Sequence, residues 1–157
     1  MGAGTTSAGR GAAAARPRRV IVLSNVISEA MRPAPDAAVM AWLRAQPLSE
    51  IATTTVSLAE IDYGLCRIPQ GRRRKDLEAK LQTFLARGFR DRMLPFDEAA
   101  ARLYGSIITA RQGMGRPIDA FDVMIAAIAR SRVAAIATRN VADFEGCGVT
   151  VVDPWRT

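Results

Sequence analysis

Glu60, Asp122 and Asp143 lie far apart in the chain, yet each falls near the end of a short apolar run or on a helix flanking one. In an open α/β sheet, ligands collect beyond the carboxyl ends of the strands. The polar residues expected there are Ser24 and Asn25 after the first strand and Glu60 in the helix after the second. Asp122 sits in the helix before the fourth strand, and Thr138, Arg139, Asn140 and Asp143 follow that strand. Unpaired carboxylates repel, so gathering three at one edge costs stability unless a cation stands between them. Oxygen-only ligation suits Mg²⁺, or Mn²⁺, rather than zinc. The associated chemistry is phosphodiester hydrolysis, in which a metal stabilises developing charge and activates a water for in-line attack. The chain contains no histidine, which excludes His-based triads and HExxH sites. Any catalysis must run on carboxylates.

Each acid taken singly also has a plainer reading. Glu60 stands about 100° round its helix from the apolar Ile61, as a solvated flank residue would. Asp143 reads equally well as a turn cap before Phe144. Asp119 reads as a helix N-cap and Asp62 as exposed. Asp122 is harder to dismiss: Phe121, Ile125, Ala126 and Ile128 surround it in sequence, and a carboxylate bordering a buried stripe needs a partner.

The positioning elements follow from periodicity and punctuation. Val20 to Leu23 is a β-branched and aliphatic run, as expected of a central strand buried on both faces. A helix from about Asn25 must stop at Met31-Arg32, because Pro33 and Pro35 cannot continue it. Asp36 caps a second helix with Val39, Trp42 and Leu43 on one face. Ile51 to Thr53 is a strand, followed by a helix with Leu58, Ile61, Leu65 and Ile68 inward. Arg72 to Ala86 is a further amphipathic helix that begins with Arg72, Arg73, Arg74 and Lys75. Positive charge there opposes the helix dipole and hints at a compensating partner. Met93-Leu94 is a strand, Asp97 caps a helix over Ala99 to Gln112, and Asp119 opens another through Arg130. Ala134 to Ala137 and Thr150 to Val152 are the last strands. Short apolar strands alternating with helices predict an α/β fold with a mostly parallel sheet, helices on both faces.

The chain has 157 residues, enough for one domain and one core without disulfides. The two cysteines, Cys66 and Cys147, form no ligand-like cluster, so a reducing compartment is the expectation. The net charge is +7. Residues 1–19 hold four arginines and no acid, contributing +4, and the other 18 basic against 15 acidic residues contribute +3. Such an excess suits a polyanion such as RNA, or serves solubility. Residues 1–18 read as a disordered basic tail and 19–157 as the folded domain. No stretch reaches the ~18 apolar residues of a membrane span, and Ser24, Asn25 and Glu29 interrupt any signal-like run. The expectation is a cytoplasmic protein with no membrane association.

Three stretches resemble the PIN-domain toxins of the VapC/FitB type. VIVLSNVISEAMRP is similar to the family's opening V-L-D-T-N-V-I-S-E. TTTVSLAEIDYGLCRIPQGRRR resembles its glutamate-bearing helix and the Y-G…P-x-G-x-R pattern after it. GRPIDAFDVMIAAIARSRVAAIATRNVADFEGCGVTVVDPW resembles its closing segment, with the D-x-x-I-A-A helix and T-R-N-V-x-D-F loop in order. The resemblance spans residues 20–155 and implies a PIN fold. It further implies a Mg²⁺-dependent endoribonuclease, usually a homodimer, silenced by a VapB-like antitoxin. By position, Glu60, Asp122 and Asp143 match the metal-centred acids. Asn25 matches the first motif's asparagine, and Thr138 and Asn140 match polar residues lining the pocket.

One place departs from the pattern. Between Leu23 and Asn25, where the family has Asp-Thr, this chain has only Ser24. Aligned from the strand, Ser24 replaces the aspartate; aligned from the helix, it replaces the threonine and the aspartate is deleted. A hydroxyl is a weaker ligand than a carboxylate for a hard cation. Two outcomes follow: a metal held through fewer protein ligands and more water, with weakened activity, or an inactive PIN module that binds antitoxin or RNA.

Overall fold

In the computed structural model, residues 16–157 are described. The expected tail lies outside them except for its last three residues, which belong to no helix or strand. The strand residues Val20–Val22 form β1, and α1 (Ser24–Ala30) follows after a single intervening residue. It ends at Met31, where the Pro33 and Pro35 segment begins. Next come α2 (Ala37–Ala45), β2 (Ile51–Thr54), α3 (Thr55–Cys66), α4 (Arg72–Gly88) and β3 (Met93–Leu94). The chain closes with α5 (Glu98–Gly113), α6 (Ala120–Ser131), β4 (Ala135–Ala137), a 3-10 turn at Val141–Phe144 and β5 (Val151–Val152).

Side-chain caps set the starts of four helices. Asp36 accepts from the Ala38 amide at 2.8 Å, and Thr54 from the Ser57 amide at 2.9 Å. Asp97 accepts from the Ala100 amide at 3.1 Å, and Asp119 from the Phe121 amide at 2.8 Å. Each satisfies an amide that the first helical turn leaves orphaned.

The five strands order as β3-β2-β1-β4-β5, and every neighbouring pair is parallel. Strand residues alternate between two cores, as the pleat requires. Ile21, Ala52 and Ile136 face the layer of α5 and α6, where Ile107, Ile125 and Ile128 are fully buried. Val22 and Ile51 face the opposite layer with Val26, Val39, Ile61 and Leu81. Fully burying one such aliphatic side chain contributes about 1.5–3 kcal/mol, so a sheet covered on both faces is a firm platform. Helix α6 is buried nearly all round, with Val123 and Ile125 to Ala129 inaccessible.

Two details differ from the sequence expectation. Ile68 lies beyond the end of α3, although it still packs against the same core. The 3-10 turn is also unanticipated: four residues carry no periodicity, and tertiary contacts hold them.

Candidate active site

The sheet order places a topological switch at β1, because β2 follows on one side while β4 lies on the other. Chains diverge there and leave a crevice beyond the strand ends. Two side-chain hydrogen bonds line it. Asn25 Nδ2 donates to Thr138 Oγ1 at 2.8 Å, joining the residues that follow β1 and β4. The same hydroxyl oxygen accepts from the Asn140 amide at 3.1 Å, and Thr138 itself is buried. Ser24 Oγ donates to Glu60 Oε2 at 2.7 Å, fixing α3 to the start of α1. Glu60 is thus half-buried and bonded, not a solvated flank residue.

Two oxygens at this crevice, Glu60 Oε1 and Asn25 Oδ1, are buried and have no hydrogen-bond partner among the described residues. Buried acceptors are normally satisfied, so each points to a water or an ion. Burial raises the Glu60 carboxyl above its usual range; the Ser24 hydrogen bond opposes this and the Asp119 charge adds to it. Asp122 is pushed up to about 6, first by burial, then by the charges of Asp143, Glu60 and Asp119, with Arg111 pulling the other way. The acids therefore sense one another. Asp143, Asp119 and Asn140 are exposed, whereas Asp122 is half-buried. The grouping is open: among the described residues no three acids, cysteines or histidines close on one point as a protein-only cage would. Oxygen donors spread round a crevice with unsatisfied acceptors fit a hydrated hard divalent ion, which keeps several waters and takes one or two carboxylates.

The handover from β1 to α1 bears on the departure at Ser24. The Leu23 amide donates to the Ala137 carbonyl at 3.1 Å, so the ladder with β4 runs one residue past β1. Leu23 therefore stands at the strand end, 4 % exposed, and packs with Ile21 on the α5–α6 side. Counted back from Asn25, the motif V-L-D-T-N then lies on Ile21 to Asn25 without a gap. Read in that register, Ser24 falls at the threonine and Leu23 at the aspartate, a third alignment beside the two the sequence offers.

Sequence reasoning missed Arg111, which is 4 % exposed at the end of α5. Its Nε donates to the Arg116 carbonyl at 3.1 Å, Nη2 to that of Pro117 at 3.2 Å, and Nη1 to that of Asp143 at 3.1 Å. A partial signal exists, since Arg111 follows the buried Ile107 by four residues and so shares its face. What that face would meet is invisible locally.

Beside Ser24, Asn25 and Glu60 opens a cleft of about 940 Å³, whose far wall carries Arg72, Arg73 and Lys80 of α4. A strip of positive charge thus leads away from the acids. Arg74 is engaged with Glu78 at 2.7 Å, but Arg72, Arg73 and Lys75 make no ion pair among the described residues.

The PIN-domain family model matches residues 20–145. A VapC ribonuclease of Sinorhizobium fredii is 33% identical over 137 residues, covering 87% of this chain and 98% of that protein. Toxin FitB of Neisseria gonorrhoeae is also 33% identical, over 87% of this chain and 99% of its own length. The crystal structure of FitAcB from Neisseria gonorrhoeae superposes with a TM-score of 0.82 at 33% identity, covering 88% of this chain and 99% of that one. With the parallel sheet, the switch-point crevice and these likenesses together, the chain belongs to the PIN-domain family of VapC and FitB toxins.

Proposed function

We propose that this protein is a divalent-metal-dependent endoribonuclease, the toxin of a toxin–antitoxin pair, with activity weakened by the loss of one acidic ligand. The observation that carries this reading is the mutual influence of the Glu60, Asp122 and Asp143 charges, with Glu60 Oε1 and Asn25 Oδ1 buried and unsatisfied among the described residues. These three carboxylates would hold Mg²⁺ or Mn²⁺. The bound ion would supply charge neutralisation at the phosphate and a more acidic water. Ser24 orients Glu60 by donating to one carboxylate oxygen and leaving the other free. Asn25, Thr138 and Asn140 form a hydrogen-bonded wall that positions the substrate. Burial and the neighbouring acids push the Asp122 carboxyl up to about 6, and a cation held by the group would favour its ionised form. Arg72, Arg73 and Lys80 would guide the RNA backbone along the adjoining cleft.

Solved relatives are toxin–antitoxin complexes, one of them FitAB bound to DNA. By the same likeness, this chain would act as a homodimer in the cytoplasm and be silenced by a VapB-like antitoxin. Residues 19–157 would be the catalytic domain and 1–18 a basic extension to it. A second reading, an inactive PIN module that binds antitoxin or RNA, is favoured by one observation: Leu23 at the strand end.

Purified protein incubated with RNA and Mn²⁺ or Mg²⁺ should cleave slowly, lose cleavage on EDTA addition, and lose it in Asp122→Ala. Cleavage that survives Asp122→Ala would refute this assignment of the site. Folded protein that binds the metal-free RNA but never cuts it would favour the second reading.

A further inference from the structure

We infer that Arg111 is the positioning residue of this centre: its guanidinium fork fixes the loop carrying Asp143 against the turn that launches α6 and Asp122. The inference rests on the metal-centre reading above and deepens it. A buried arginine ordinarily needs a carboxylate, because an unpaired buried charge is costly. Arg111 makes no ion pair among the described residues. Its donors are spent instead on backbone carbonyls from two separate segments. Nε and Nη2 take Arg116 and Pro117, immediately before the α6 cap, while Nη1 takes Asp143 and Glu145. A planar fork offers five donors in fixed directions along two edges, whereas an ammonium offers three from a single atom and cannot reproduce the spread of contacts from Nε, Nη1 and Nη2.

Two independent features show that the loop is seated at this spot. Gly146 takes φ +76°, and a Cβ there would meet Met114 Sδ at 2.5 Å and Arg111 Cδ at 3.7 Å. The loop therefore lies against the Met114 side chain and within van der Waals reach of the arginine's stem, and its left-handed backbone at Gly146 favours glycine. Next to it Phe144 and Cys147 are buried at 2 % and 1 % exposure. Asp143 itself is exposed and its neighbours in the 3-10 turn have no side-chain cap. Within the turn the Asp143 amide donates to the Asn140 carbonyl at 3.2 Å and Phe144 anchors the loop in the core, while Arg111 ties that loop to the segment leading into α6. The fixed positive charge also acts on Asp122, opposing the rise that burial and the neighbouring acids impose.

The test uses the full chain with two readouts: Mn²⁺ affinity by electron paramagnetic resonance, and hydrogen exchange of the metal-free protein. Arg111→Lys keeps the charge and loses the fork. It should speed exchange at 141–147 and weaken Mn²⁺ binding by roughly tenfold, the low end for groups that orient ligands. Arg116→Gln, which breaks only the surface pair with Glu145, should leave both near wild type. Faster exchange with unchanged Mn²⁺ affinity would reduce Arg111 to a structural clasp and overturn the inference, as would no change in either. Should Arg111→Lys not fold, Gly146→Ala unseats the same loop with the guanidinium intact; undiminished Mn²⁺ affinity there counts equally against it. Wild-type protein that binds no Mn²⁺ sinks the metal centre itself, and this inference with it, a result distinct from any variant's.

Discussion

Asp122 sits on the otherwise apolar helix α6, and its proton is held up to about pH 6 chiefly by burial. The sign of the consequence is fixed. A carboxyl with a folded pKa above its unfolded value gives stability below the unfolded pKa, and that stability drains away as pH rises through the folded one. Metal-free protein should therefore lose Tm between about pH 4 and pH 6, and Asp122→Asn should flatten that slope. Millimolar Mg²⁺ should raise Tm at pH 7.5, where the acids are ionised, and do little at pH 4.5. A Mg²⁺ effect of equal size at both pH values would dissociate the carboxylates from the ion. Leu23 makes the second prediction at this scale. If it fills the place of the absent acid, Leu23→Asp should tighten Mn²⁺ binding at least tenfold. Ser24→Asp should not, because it sets a like charge against Glu60 in place of a donor. Tighter binding in Ser24→Asp alone would return the aspartate's place to Ser24. Leu23 escaped sequence reasoning because a leucine ending an aliphatic strand looks like more core. Asp122 drew attention because apolar neighbours surround it, whereas Glu60 read by its neighbours as a solvated flank residue and was singled out by its place after the second strand and by the family resemblance.

The elements were largely readable, and the reasons are local. Proline ends α1, four polar caps start α2, α3, α5 and α6, and β-branched runs make the central strands. The 3-10 turn at Val141–Phe144 was not, since its order comes from Phe144 in the core and Arg111 beneath it. The cap on α3 matters most for chemistry, because that helix carries Glu60. Thr54 is fully buried; its hydroxyl oxygen accepts from the Ser57 amide, and the two hydroxyls lie 3.0 Å apart. Thr54→Ala should cost about 1 kcal/mol, within the range for lost caps, measured as a shifted urea midpoint at unchanged slope. It should also lower metal affinity, as the first turn of α3 frays beneath Glu60. A variant as stable as wild type would show that packing alone starts this helix.

On the scale of the whole molecule, charge is distributed with a direction. Glu60 lines a cleft walled by the start of α4, where Arg72 and Arg73 are exposed and make no ion pair among the described residues. Three cations at a helix N-terminus oppose the dipole, which is unfavourable unless an anion completes them. The composition alone could not choose between solubility and a polyanion partner, because it fixes the sum of the charges and not their address. Arg72 and Arg73 share a cleft with Glu60, so under the proposed function RNA phosphate is the anion that would complete this face. Each contact between a cation and a single-strand phosphate adds about 0.7 to the slope of log affinity against log salt. Replacing Arg72, Arg73 and Lys75 together by glutamine should therefore flatten that slope by roughly 2 for a single-stranded RNA. The loss should be uniform across sequences, since phosphate contacts carry no base information. None of the three residues lies in the apolar core, so the folded state should survive the change. An unchanged slope would mean that these charges never meet the RNA backbone, and would assign the α4 face to an acidic protein partner instead.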